Sequence, residues 1–245
     1  MLSSAAVTGA GCNEPLSCQL AISWYPEPIA SRQMECQTLG VAVAHWRRHS
    51  RKKKLFEAKE LKWVQQYAVD VTLDPDTVHP NLILSDYGKQ VNHSDLRKSL
   101  PDNPERFTLY CNVLGKQNFF SGRFYFEVQV KGKSKWDLGV AKESIDRKGK
   151  IILSPKNGFW SVALRNGNEY RALTGSPFPL SLQSAPEKVG VFVDYEEGQV
   201  SFHDVDTASL IYSFTECSFT QKLYPYFSSC DNDDGKNSAP LIICP

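Results

Sequence analysis

The sequence predicts an all-β fold: two antiparallel sheets packed face to face, with one short helix ahead of them. Three observations carry this. From Asp70 onward, about a dozen short runs rich in β-branched and aromatic residues alternate with Gly, Pro, Asn and Asp. After Val69 no segment of useful length has a helical period. No repeat of fixed length recurs, which argues against a propeller.

Residues 1–44 show no sustained apolar face and are read as disordered, with a short helix near Leu39–Trp46. The tail is placed at residues 1–51 and closes on the basic run Arg47-Arg48-His49-Ser50-Arg51-Lys52-Lys53-Lys54. Such a run is a solvated linker or a nuclear-entry patch. From Leu55, the residues Ala58, Leu61, Val64 and Ala68 recur at steps of three and four, predicting a helix over Leu55–Val69. Asp70 and the turn Leu73-Asp74-Pro75 end it, because the residue before proline avoids the helical region.

The strands follow in order. Arg123–Val130 is aromatic and β-branched with partial alternation, and Trp136–Ala141 and Phe159–Leu164 are shorter. Lys188–Asp194 and Gln199–Asp204 flank Tyr195-Glu196-Glu197-Gly198, a hairpin with glycine in its tight turn. Leu210–Phe214, Leu223–Phe227 and Leu241–Cys244 complete the series. Trp136, Trp160, Phe192 and Phe202 fall where the pattern places sandwich core.

Composition narrows the function. The 245 residues carry a net charge of +1, unevenly spread. Residues 1–54 hold seven Lys/Arg against three Asp/Glu, and the rest hold 21 against 24. The folded part is mildly acidic, which argues against a nucleic-acid-binding face. The seven cysteines are widely spaced, without a Cys-x-x-Cys pair, as in a reduced cytosolic chain without a zinc site. The N-terminus has no charged region followed by an apolar one, and no apolar run reaches the roughly 20 residues of a membrane helix. The chain is expected in the cytoplasm without membrane insertion.

Catalytic chemistry finds no pattern. The five histidines lie apart from any nucleophile elbow, and Cys111, Cys217 and Cys230 read as small core residues. There is no phosphate-binding glycine loop. Asp231-Asn232-Asp233-Asp234-Gly235 places its glycine one position early for a calcium loop, and Leu241 stands where the loop's glutamate belongs. It reads as a turn. No cofactor is expected.

Six segments together resemble the PRY-SPRY (B30.2) domain: Leu73-Asp74-Pro75, Phe126–Val130, Trp136–Val140, Asn157-Gly158-Phe159-Trp160, Val193–Glu196 and Leu223–Phe227. The resemblance covers about Leu55 to Pro245. It implies a bent, concanavalin-like jelly roll, with a PRY part over 70–121 and a SPRY part over 122–245. It also implies a C-terminal substrate-recruiting or pathogen-sensing module, such as tripartite-motif ligases carry. Only three cysteines and two histidines precede Leu55, too few for a RING, and no heptad stretch is present. The chain is therefore expected to be a truncated or stand-alone module, not an enzyme, and monomeric.

Relatives of this kind hold protein partners with loops fixed on the rigid sandwich. Carried onto this sequence, their pocket positions are Asp137, Ala163, Arg165 and Asp231, with Asn166 and Asn232 beside them. These residues make a polar face suited to charge-assisted hydrogen bonds, without the aromatics of the antibody-binding relative. Further contacts are expected from loops Tyr87–Asn103, Lys142–Lys150 and Thr174–Pro179. On this reading Arg165→Glu with Asp231→Arg abolishes capture and leaves the fold intact. The partner is a protein, in innate immune or ubiquitin-pathway recognition. Two alternatives stand beside this: a fragment of a complete ligase, or a sensor that meets a small anion with Arg165, Arg171 and Lys142.

Overall fold

A computed structural model describes residues 50–245. The predicted tail, the short helix near Leu39–Trp46 and the start of the basic run fall outside the described residues.

Residues 50–64 form helix α1, followed by a 3-10 turn, Gln65–Tyr67. The expected helix over Leu55–Val69 is thus too late at both ends. Its C-terminus is cut short because the chain is captured by a strand. Ala68 leaves the helical region at ψ 133° and bridges Tyr125, and the Val69 amide donates to the Tyr125 carbonyl at 2.9 Å.

Thirteen strands follow: β1 Leu82–Leu84, β2 Gln90–His93, β3 Asn112–Leu114, β4 Arg123–Gln129, β5 Trp136–Lys142, β6 Phe159–Arg165, β7 Glu169–Ala172, β8 Phe178–Leu180, β9 Lys188–Asp194, β10 Gln199–Asp204, β11 Leu210–Phe214, β12 Leu223–Ser228 and β13 Leu241–Ile243. They build two antiparallel sheets. One runs β1-β2-β13-β4-β9-β10-β11 and the other β3-β12-β5-β6-β7-β8.

Period-two alternation explains three apolar layers. In β4, Phe124, Phe126 and Val128 point between the sheets, as do Val189, Val191 and Val193 of β9. Leu138, Val140, Val162 and Phe227 answer from the second sheet. Trp136, Trp160 and Phe202 belong to this core as expected. Phe192 does not: it faces the opposite side of β9 and packs with Tyr125 against Leu61 and Val64 of α1. The helix is there because the outer face of β4 and β9 is apolar and needs cover. Gly190 lies on the same face of β9 as Phe192, and the Tyr125 ring lies where a side chain there would stand.

On the far side, the outer face of the six-stranded sheet carries a third layer: Phe107, Leu114, Ala141, Ile145, Phe159 and Tyr226. Loops cover part of that layer and leave a cavity beside it.

Candidate binding cavity on the six-stranded sheet

The register places a row of three polar residues and one alanine across the outer face. Asn112 pairs with Ser228, Ser228 with Asp137, and Asp137 with Ala163. All four are buried. Their inward neighbours are apolar, so alternation alone turns this row outward. A cavity of about 440 Å³ opens over it, walled by Leu109, Tyr110, Cys111, Ile151, Leu153 and Tyr226.

Asp137 is the most constrained group in this cavity. The Arg165 guanidinium reaches its Oδ1 at 2.6 Å, and Arg165 Nη1 donates to the carbonyls of Trp136 at 3.0 Å and Leu164 at 2.8 Å. At that distance the guanidinium occupies Oδ1, which is itself shielded from solvent. Burial pushes the Asp137 carboxyl up, and the Arg165 charge opposes the shift. A guanidinium does not give up its proton, so a positive charge always stands beside the carboxyl.

The rim loop after β12 is held from below by Asn237, which is fully buried. Its amide donates to the carbonyls of Ser229 at 3.0 Å and Asp231 at 2.9 Å, while its Oδ1 accepts from the amides of Ser134 at 3.0 Å and Lys135 at 3.1 Å. Lys133, also buried, donates to Ser229 Oγ at 3.2 Å and to the Ala239 carbonyl at 3.0 Å. Asp233, Asp234 and Gly235 take left-handed conformations in this loop, which explains why the stretch is written in Asp, Asn and Gly.

Two thiols line the cavity. Burial pushes Cys111 up to about 11 and Cys230 up to about 12. His79 Nδ1 stands 3.6 Å from the Cys111 sulfur and accepts from the Asn81 amide at 3.2 Å, so Nε2 carries the proton toward the Thr108 carbonyl. Burial lowers the imidazole's own affinity for a proton. These thiols are held protonated rather than activated.

Of the six residues expected to contact a partner, Asp137, Arg165 and Asp231 meet at the cavity. Ala163 is buried opposite Asp137 and is not part of the lining. Asn166 is spent in the β6–β7 turn, at φ 53°, where its amide donates to Glu169 at 2.8 Å. Asn232 stands outside the lining and donates to Asp95 at 3.3 Å. The expected polar face is half apolar. Leu109 (56% exposed), Ile151 and Leu153 were missed because they sit in loops without strand period, although Ile151-Ile152-Leu153 is an apolar triplet too short for a strand. Arg165 is consumed by Asp137, and Arg171 by Glu169 at 2.5 Å. Of the trio expected to meet an anion, only Lys142 remains uncommitted among the described residues.

The fold and this outer-face cavity are the context for the comparisons. The family model for the SPRY domain matches residues 123–241, and that for the SPRY-associated domain, PRY, matches residues 71–119. The chain belongs to the PRY-SPRY family. Its PRY-SPRY region is 49% identical over 187 residues to human zinc finger protein RFP, covering 76% of this chain and 36% of that protein. It is 48% identical to bovine E3 ubiquitin-protein ligase TRIM21, covering 75% and 39%, and 44% identical to human E3 ubiquitin-protein ligase TRIM68, covering 89% and 42%. The chain thus spans well under half the length of these relatives. Among solved structures, the TRIM65 PSpry domain superposes with a TM-score of 0.64 at 22% identity, covering 75% of this chain and 94% of that one, a likeness of fold. Stonustoxin superposes at 0.63 with 25% identity, covering 73% and 29%. No helix among the described residues is long and apolar enough to cross a membrane.

Proposed function

We propose that this PRY-SPRY domain captures a partner protein by taking one of its side chains into the cavity over Asp137. The observation that carries this reading is the Asp137–Arg165 ion pair, which lines a cavity of about 440 Å³ whose walls are otherwise largely apolar. A fixed ion pair in a half-apolar recess suits a side chain with an apolar body and a polar end. Leu109, Ile151 and Leu153 supply the apolar wall, and Asp231 adds a second carboxylate at the mouth. The protonated thiols support a binding role over a catalytic one.

The chain's four free cysteines in the described region, Cys111, Cys217, Cys230 and Cys244, suit a reducing compartment. The relatives named as ubiquitin ligases favour a second reading at the level of the whole protein: where this chain is part of a longer ligase, the same cavity selects the substrate. Transcript sequence upstream of this region separates the two.

Affinity capture from cytosol with the full chain, followed by mass spectrometry, tests the cavity. The comparison is with Leu109→Asp combined with Asp231→Arg, both exposed positions. The specific partner should vanish from the variant's eluate. Undiminished capture by the folded variant would sink the placement.

A further inference from the structure

A second cavity, of about 460 Å³, lies beside the first and shares Ile151 as a wall. Its lining includes Lys142, Ser144, Asp146, Lys150, Lys156 and Asn157. Three lysines and one aspartate are among the residues that line it. Among the described residues, none of the three lysines makes an ion pair or a side-chain hydrogen bond, so their charges are free to face a ligand.

The arrangement is built into the backbone. The 3-10 turn Pro155–Asn157 ends on Gly158 in the left-handed conformation, φ 85°. The aliphatic stem of Lys142 lies where a Cβ on Gly158 would stand, so only glycine lets that stem cross the turn. The backbone fixes the crossing, with the Lys142 amide donating to the Gly158 carbonyl at 2.9 Å. Asn157 ties the two sides of the cavity together, its side-chain amide donating to the Ile152 carbonyl at 2.8 Å. The one carboxylate is held by its own turn and is outnumbered three to one by the lysines. Asp146 Oδ1 accepts from the amides of Lys148 at 2.9 Å and Gly149 at 2.8 Å.

We propose that this cavity binds a phosphate-type oxyanion, held by Lys142, Lys150 and Lys156. Uncommitted lysines are suited to it, because an ammonium binds phosphate as a point charge without needing a planar partner. The Asn157 and Ser144 side chains sit in the lining to complete the polar contacts. The proposal is independent of the partner capture assigned to Asp137.

Amide NMR on the full chain tests it, with inorganic phosphate, pyrophosphate, and a phosphoserine peptide beside its unphosphorylated twin. Saturable shifts should appear at Ser144, Asn157 and Gly158. Lys142→Met with Lys156→Met should weaken binding about tenfold or more, each lost contact being a charge-assisted one. Lys142→Arg with Lys156→Arg should retain it, and Asp231→Arg in the other cavity should leave it unchanged. Tighter binding of the phosphopeptide than of pyrophosphate would mark a phosphorylated protein as the source, and the reverse order a small metabolite. Shifts scattered over surface lysines such as Lys131, or shifts undiminished in the double methionine variant, would overturn the site.

Discussion

The Asp137 carboxylate lies 2.6 Å from the Arg165 guanidinium, on the outer face of the six-stranded sheet. Arg165 therefore does two things at once: it neutralises a buried charge and caps the Trp136 and Leu164 carbonyls. This argues against the expectation that Arg165→Glu with Asp231→Arg leaves the fold intact. Glutamate there puts two carboxylates side by side, one of them buried. Breaking such a pair costs about 3 kcal/mol or more. Arg165→Glu should lower the urea midpoint sharply, whereas Asp231→Arg, on the exposed rim, should leave it unchanged. Replacing both partners, Asp137→Asn with Arg165→Met, should recover part of the loss in a double-mutant cycle.

Asn237 makes four hydrogen bonds to the chain around it and is fully buried. Alanine there removes all four and leaves two carbonyls and two amides unpaired. At 1–3 kcal/mol for an unsatisfied buried group, a loss of about 3 kcal/mol is expected after relaxation. Asn237→Ala should also raise amide exchange across residues 229–236 and abolish capture. An unchanged exchange pattern there would show that the loop does not depend on this residue.

Much of the sandwich was legible because it is written in period two. The alternation in Arg123–Gln129 and Lys188–Asp194 gave the strands, and the hairpin through Gly198 was readable from turn chemistry. Less legible was which face of a strand is covered. Phe192 looks like sandwich core in sequence, but its position in β9 turns it toward α1. The cavity was half legible. Asp137 and Arg165 lie on neighbouring strands at fixed register, so homologous position could place them together. Leu109 and Ile151 come from separate loops, and nothing local in the sequence says that two loops meet.

Gly198 separates two reasons for a glycine. Its φ is 62°, and a Cβ there would run into the Cys217 carbonyl, which is backbone and cannot swing aside. Gly167 has φ 75° with open space around its Cβ position. Gly167→Ala should cost only the left-handed strain, about 1 kcal/mol. Gly198→Ala should cost clearly more, because the β9–β10 turn must move away from Thr215–Cys217. Thermal midpoints of the two variants give the comparison, and equal shifts would mean that the clash relaxes freely.

His203 sets an acid limit on the fold. Its ring is buried in β10 against Ser201 Oγ at 3.0 Å, and burial depresses its pKa from 6.5 to about 4. The folded state thus keeps the ring neutral over a range where the unfolded chain already binds a proton. Stability conferred by the neutral ring is complete above pH 6.5 and is lost as pH falls from 6.5 to 4, by on the order of 3 kcal/mol at most. Below about pH 4 both states carry the proton, and this group adds no further slope. His203→Gln keeps a hydrogen-bonding side chain without the titration. Urea unfolding measured between pH 7 and pH 4 should show a flatter loss of stability in the variant than in the wild type. Parallel curves would mean that carboxylates elsewhere, not this imidazole, set the acid limb.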